Sequence, residues 1–439
     1  MQKKDSFDCV KSELDLFWTP PTNASVLNGI WSDYHPLTAI SKSGPIEFKI
    51  DATPDYLDLS KTVLYVNLSI EKAGQALGTT DIVAPTNNFL HSLFEQVDVV
   101  LNNDKIETSN DTYPYKAYIT ELLNFGQDAK KSVMQSSLFV KDTPGFMDVL
   151  EIADKTKGNE GFIERRNQII KGKGNIDLCG KLHIDLFNSN KYLINGVEMK
   201  IKLSRSSNEF CLQMPDDANY TVNIKEAILF IRKVSVNSSI CAAQNLALEK
   251  THSKYPIKHV EVSDINIPSG SVSTTINSIN QTIIPNRIIV GFVSSAAAEG
   301  AKSKNPFNFQ HYNITEIGAY LDGVSTPYSS PLTLNFTNNS YIRGFYSLFE
   351  NIDKPIFITG NDINRDDYLN GYTLFAFDFT PDLCSGDHIN LIKTGSVSLK
   401  IKFASAIAES VTAIIYQEYD DILEINKYRK VVNDNLIKA

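Results

Sequence analysis

At 439 residues, 42% of them hydrophobic and 21% charged, the chain is long enough for two or three domains, each able to bury a core. Its formal net charge is −9 and it has no long basic run. This disfavours a direct grip on DNA or RNA, which normally requires a basic face for the phosphates. No stretch approaches the ~18 consecutive apolar residues of a membrane span. The N-terminal MQKKDSFDCVKSELDLFW lacks a signal-peptide core, and secretion is not expected.

Residues 1–45 are broken by Pro20, Pro21, Gly29, Pro36 and Gly44, yet they carry both tryptophans, Trp18 and Trp31. The segment reads as an extended N-terminal arm that docks on something rather than a free tail. Period-two alternation then begins. Ile46, Phe48 and Ile50 share one face, Leu64, Val66, Leu68 and Ile70 another, and Val97, Val99 and Leu101 form a strand closed by Asn102, Asn103 and Asp104. At 112–131 the period changes. Tyr115, Tyr118, Ile119, Leu122 and Leu123 fall on one helical stripe, with Pro114 in the first turn. A second helix is expected at 160–170, with Asn159 as its cap and Gly172 as its stop; the Lys171-Gly172-Lys173-Gly174 run is then a helix end and turn rather than a phosphate loop. Strands follow at 176–187 and at VEMKIKLS (197–204).

Residues 205–221 are mostly polar with a Pro-Asp-Asp turn, so the domain boundary is expected near 215. Beyond it strands are expected at 222–236, 256–267, 287–293 and 311–321. A helix capped by Ser340 follows, with Tyr341, Phe345, Leu348 and Phe349 on one stripe, then a strand at 372–379 and VSLKIKFA (397–404). Val, Lys, Ile and Lys recur in register between VEMKIKLS and VSLKIKFA. Alternating sequence is compositionally cheap, but the order around the two segments also repeats: strands, an aromatic-striped helix, a strand bearing Asp185 or Asp378, then the Lys-Ile-Lys strand. The fold class expected is all-β: two consecutive eight-stranded antiparallel jelly rolls with short inserted loop helices, spanning 46–215 and 216–425, with a polar tail at 426–439. The helical stripes are expected mainly to cover each unit's own core.

The chemistry-bearing residues do not converge in the sequence. The seven histidines (His35, His91, His183, His252, His259, His311, His388) show no metal-binding spacing, and each is expected at the surface or in packing. The five cysteines (Cys9, Cys179, Cys211, Cys241, Cys384) are scattered and odd in number, as expected of free thiols in a reducing compartment. Asn-x-Ser/Thr triplets, among them Asn67 and Asn280, reflect an Asn-rich sequence rather than glycans. The acidic loop NDINRDDYLNG (361–371), with Asp362, Asp366 and Asp367, fits an EF-hand poorly: Asp367 stands where the turn needs Gly, and Thr373 where a Glu should supply two oxygens. Glu121, Glu418 and Asp420 are candidate acids for a β-sandwich glycosidase, but nothing pairs them. No catalytic, cofactor-binding or metal-binding residue is therefore expected, nor any cofactor.

Several stretches carry a resemblance: IEFKIDATPDYLDLSKTVLYVNLSI, PTNNFLHSLFEQVDVVLNN and YPYKAYITELLNFGQDAKKS, then KYPIKHVEVSDINIPSG, IIPNRIIVGFV, NPFNFQHYNITEIGAYLDG, YTLFAFDFTPD and VSLKIKFASAI. In this order, from about residue 14 to 426, the chain resembles the double jelly-roll, hexon-like major capsid proteins of the Polinton and adintovirus group of small DNA viruses, and more distantly those of virophages. The resemblance implies a non-enzymatic structural protein that self-associates as a homotrimer of pseudo-hexameric outline and tiles an icosahedral shell. It also implies contacts of the arm and tail with neighbouring capsomers or with minor capsid or penton proteins, and location in the virion after synthesis in a host cell, with assembly in cytoplasm or nucleus. A carbohydrate- or receptor-binding β-sandwich protein, spike- or lectin-like, is the alternative.

Overall fold

The computed structural model describes residues 11–153, 157–277, 283–352, 360–383 and 388–432; Cys9, Asn280 and Cys384 lie outside them. Among the described residues, eight principal strands make the first unit, besides three two-residue ones: β1 (Val26–Tyr34), β2 (Ile46–Ile50), β3 (Tyr56–Lys72), β4 (Phe94–Leu101), β5 (Asp104–Thr108), β6 (Asn175–Gly180), β7 (Met199–Arg205) and β8 (Tyr220–Val236). One sheet runs β1-β8-β3-β6 and the facing sheet β2-β7-β4-β5, all antiparallel. The second unit consists of β9 (Ser253–Ile267), β10 (Ser273–Ile276), β11 (Arg287–Ser294), β12 (Ile314–Leu321), β13 (Val324–Ser325), β14 (Leu374–Asp378), β15 (Val397–Phe403) and β16 (Val411–Ile425). Its sheets run β9-β16-β11-β14 and β10-β15-β12-β13. Each strand of the second unit thus occupies the place of the strand eight earlier. The fold is a double jelly roll.

The alternation that marks the repeat is what builds both cores. In β7 Met199, Ile201 and Leu203 are buried while Lys200 and Lys202 face outward; in β15 Leu399, Ile401 and Phe403 are buried while Lys400 and Lys402 face outward. The two Lys-Ile-Lys strands are structural equivalents, each second in its sheet. The outward lysines find local partners: Lys402 Nζ lies 2.7 Å from Glu316, and Lys400 Nζ sits 4.0 Å above the Tyr320 ring.

Several boundaries differ from the sequence expectation. The boundary near 215 is wrong, because β8 pairs with both β1 and β3 and completes the first roll. The polar run that suggested a linker is a rim loop with a buried underside: Cys211, Leu212 and Met214 are inside, and Leu212–Gln213 pairs with Ala84–Pro85. The connection to the second unit is instead made by helix α6 (Ser238–Leu248), which sequence reasoning missed despite its Asn237 cap. Nor is the arm at 1–45 wholly separate from the first roll, since β1 lies within it as the edge strand of a sheet. Part of the 426–439 tail is anchored: Arg429 donates to Asn195, and Val431–Val432 pairs with the end of β16. The strand expected at 176–187 stops at Gly180, and Asp185 stands in a 3-10 turn (Asp185–Asn188).

The helices sit in the loops. Phe89–Ser92 (α1), Tyr113–Asn124 (α2), Gln127–Lys130 (α3), Glu160–Lys171 (α4) and Asn208–Cys211 (α5) belong to the first unit. Ser295–Ala298 (α7), Ile342–Glu350 (α8) and Arg365–Leu369 (α9) belong to the second. The single helix expected at 112–131 breaks where Phe125 turns extended before Gly126. Asn159 caps α4 by accepting from the Gly161 N–H, and Gly172 ends it. Ser340 does not cap α8; its backbone pairs with Asn335, and Tyr341 takes the cap position with its ring stacked 5.4 Å from Phe336.

Candidate functional site: the inter-unit junction and the outer apolar surface

Helix α2 has Pro114 in its first turn, where the missing N–H would have no partner within the helix anyway. Its stripe does not cover its own sandwich. Tyr115, Tyr118, Ile119, Leu122 and Leu123 are buried in the same cluster as Phe292, Phe307, Phe309 and Phe375 of the second unit, whereas Tyr113 at its start joins the first core. The Tyr118 ring lies face to face with Phe307 at 4.0 Å and 2°, and Tyr115 meets Phe307 edge-on at 5.7 Å. The expectation that this stripe serves its own unit is therefore corrected: α2 is a dowel between the two rolls. It lies in the 66-residue excursion between β5 and β6 (109–174).

A buried charge cluster lies beside it. Lys116 Nζ on α2 is 2.6 Å from Glu107 and 2.7 Å from Asp185, and Asp185 also accepts from His259 Nδ1 at 2.9 Å and from the Val260 N–H at 3.0 Å. Lys116, Glu107 and Asp185 belong to the first unit, His259 and Val260 to β9 of the second. Burial alone would raise the Asp185 carboxyl, but Lys116 and His259 hold it below its usual range; Glu107 is raised by burial and by the Asp185 charge. Burial would lower His259, yet the Asp185 hydrogen bond and charge hold it above its ordinary value.

A third contact region uses Asp142. Its Oδ1 accepts from Arg165 and Asn159, both at 2.7 Å, and its Oδ2 from Asn305 of the second unit at 3.1 Å; the Tyr372 hydroxyl donates to its carbonyl at 2.7 Å. Arg165 is fully buried and also donates to the carbonyls of Pro85 and Val140. Stacked aromatics, a buried ion cluster and this amide network together make the two rolls one packed body.

The outer surface is different. In the arm Leu14, Leu16, Phe17 and Trp18 are exposed, Phe17 to 96%. On β1 Leu27, Ile30 and Trp31 are exposed as well, Trp31 to 48%. Among the described residues both tryptophans thus lie on exposed apolar surface, Trp31 on the edge strand β1 itself.

The sequence candidates for chemistry are dispersed. Glu418 on β16 pairs with Arg287 at 3.6 Å, and Asp420, two residues on, is taken by Lys258 at 2.5 Å and the Asn390 N–H. Glu121 on α2 belongs to a different cluster, 3.0 Å from His183 Nε2 and 3.5 Å from His91 Nε2. In the loop at 361–371, Asp367 closes a capping box with Asn364 at the start of α9 and meets Lys141 at 2.7 Å; its carboxylate is a helix cap rather than a cation ligand.

Two histidines that sequence reasoning treated as unrelated do come together. His91 on α1 and His183 in the loop after β6 have ring centroids 4.7 Å apart. Their Nε2 atoms lie 3.5 and 3.0 Å from the same Glu121 oxygen, and His91 Nδ1 is 2.9 Å from the Tyr113 hydroxyl. Burial holds His91 below its ordinary value; it would raise Glu121, but the two histidines bring that carboxyl down to about 2. Only the fold could show this, since the three residues are 30 and 62 positions apart along the chain.

The whole chain resembles solved double jelly rolls. A structure of the Sputnik virophage matches 99% of this chain and 94% of its own at a TM-score of 0.65 and 11% identity. The Faustovirus major capsid protein matches 96% and 93% at 0.54 and 9%, and the mavirus major capsid protein 99% and 97% at 0.50 and 10%. A Caenorhabditis elegans protein of uncharacterised function is 23% identical over 437 residues, covering 95% of this chain and all of that protein. No family model matches.

Proposed function

We propose that this chain is the major structural subunit of a small icosahedral shell, assembling as a homotrimer whose six jelly rolls give a pseudo-hexameric capsomer. The observation that carries this reading is the close packing of two equivalent rolls within one chain. Three such chains about a threefold axis present six similar lobes, which tile a shell as true hexamers would. Solved chains with the same double fold over nearly their full length include major capsid proteins by name, which supports the reading. So does the exposed apolar surface of the arm and β1, of the kind that subunit contacts bury. The arm and the end of the tail are assigned to contacts with neighbouring capsomers and with minor capsid or penton proteins. The protein has no enzymatic role in this account and resides in the virion after assembly in the host cytoplasm or nucleus.

A finer placement among Polinton- and adintovirus-type elements rests on the sequence resemblance across residues 14–426. An animal relative matched over its entire length supports it, as expected if such genes reside in animal genomes. Size-exclusion chromatography with light scattering tests the main claim. The expected mass is three times the 49.0 kDa of the chain; a monomer at micromolar concentration would overturn it. Deleting residues 1–24 is expected to leave the trimer and reduce closure into shells.

A further inference from the structure

Among the described residues, one group of side chains has the composition and spacing of a metal centre: His91, Glu121 and His183, whose donor atoms all lie within 4.8 Å of one another. We propose that these three residues bind a first-row divalent transition-metal ion, with Zn2+ the preferred occupant. Two imidazoles and a carboxylate are a donor set that such ions favour over Mg2+ or Ca2+, which take oxygen ligands. A tetrahedral ion with bonds of about 2.0–2.1 Å holds its donors about 3.3 Å apart. The two Nε2-to-Glu121 separations, 3.0 and 3.5 Å, bracket that value.

A second feature points the same way. Glu121 Oε2 is buried and has no hydrogen-bond partner among the described residues. A buried carboxylate oxygen without a partner is costly, and an ion bound by both oxygens of Glu121 would satisfy it. The surroundings also suit ligation. The Tyr113 hydroxyl accepts the His183 backbone N–H at 3.2 Å and contacts His91 Nδ1 at 2.9 Å. A partner on Nδ1 orients the imidazole and leaves Nε2 as the ligating atom, the usual arrangement of outer-shell groups around a metal-bound histidine. The three ligands come from α1, α2 and the loop after β6. A bound ion would therefore staple α2 to the first sandwich while its apolar stripe occupies the second core. The inference is independent of the shell reading, because it concerns one chain and is tested on metal content.

The test uses the full-length protein, stripped with EDTA and titrated with Zn2+ by calorimetry, with Co2+ as a spectroscopic probe. The expected result is one equivalent of Zn2+ per chain, a rise in Tm on Zn2+ addition, and the visible absorption of four-coordinate Co2+ that Zn2+ displaces. Glu121→Gln and His183→Ala should each remove the stoichiometric site, and Tyr113→Phe should weaken it about 10–100-fold. Failure of the wild-type protein to bind one saturable equivalent would overturn the proposal, and that result needs no variant to fold. Stoichiometric binding that survives both ligand substitutions would overturn it equally, placing the ion elsewhere.

Discussion

In the first roll the excursion between β5 and β6 sends α2 out of its own sandwich, so that Tyr118 lies on Phe307 of the second. In the second roll the equivalent excursion, between β13 and β14, folds α8 back over its own strand: Leu348 is fully buried in the second core, and Phe345 meets Tyr368, which meets Phe375 of β14. Strand order is shared, but the use of the helices is not. The repeated strand order gives two similar lobes; the asymmetry of the helices supplies the packing that joins them. One lobe supplies the joint and the other receives it.

The contrast can be broken at the joint. Tyr118→Ala removes a fully buried ring from the inter-unit stack and is expected to cost about 4 kcal/mol. It should also split a single urea transition into two, whereas Leu348→Ala in α8, costing about 3 kcal/mol, should weaken the second roll without separating it from the first. Fluorescence and far-UV circular dichroism followed together distinguish the two outcomes. Lys116→Met leaves Glu107 and Asp185 buried without their shared cation, a loss of about 3 kcal/mol, and should also loosen the joint. Replacing Asn364 by Ala removes the cap of a helix confined to the second roll; about 1 kcal/mol is expected, with the transition still single.

The smallest effect is a pH dependence of the joint. His259 faces Asp185, Lys116, Glu107 and Asp421, and its folded value is raised by Asp185 despite burial. A raised value means that its contribution is complete below about 6.5, the unfolded value, and is lost as pH rises through the folded one. Stability measured across this range should fall with rising pH, and His259→Gln should flatten the slope.

Much of this architecture was legible in the chain. Period-two alternation located β2, β3, β4 and the two Lys-Ile-Lys strands, because one-sided burial imposes that pattern directly. Asn159 and Gly172 bounded α4 because caps act locally. The domain boundary was not legible: β8 reads as a strand in either unit, and only its ladder to β1 and β3 assigns it. Nor could the stripe on α2 say which core it enters, since Tyr and Leu pack equally well in either. The His91–Glu121–His183 cluster was invisible for the same reason, as its spacing is set by tertiary packing. The two tryptophans marked residues 1–45 as an arm that docks, but their exposure and the strand β1 inside that arm were not legible.

Electron microscopy of the purified protein is the most direct test of the central claim, that two closely packed rolls per chain build a six-lobed capsomer. The account predicts threefold particles of hexagonal outline with six lobes of similar size. Single two-lobed particles, or assemblies lacking a threefold axis, would contradict it.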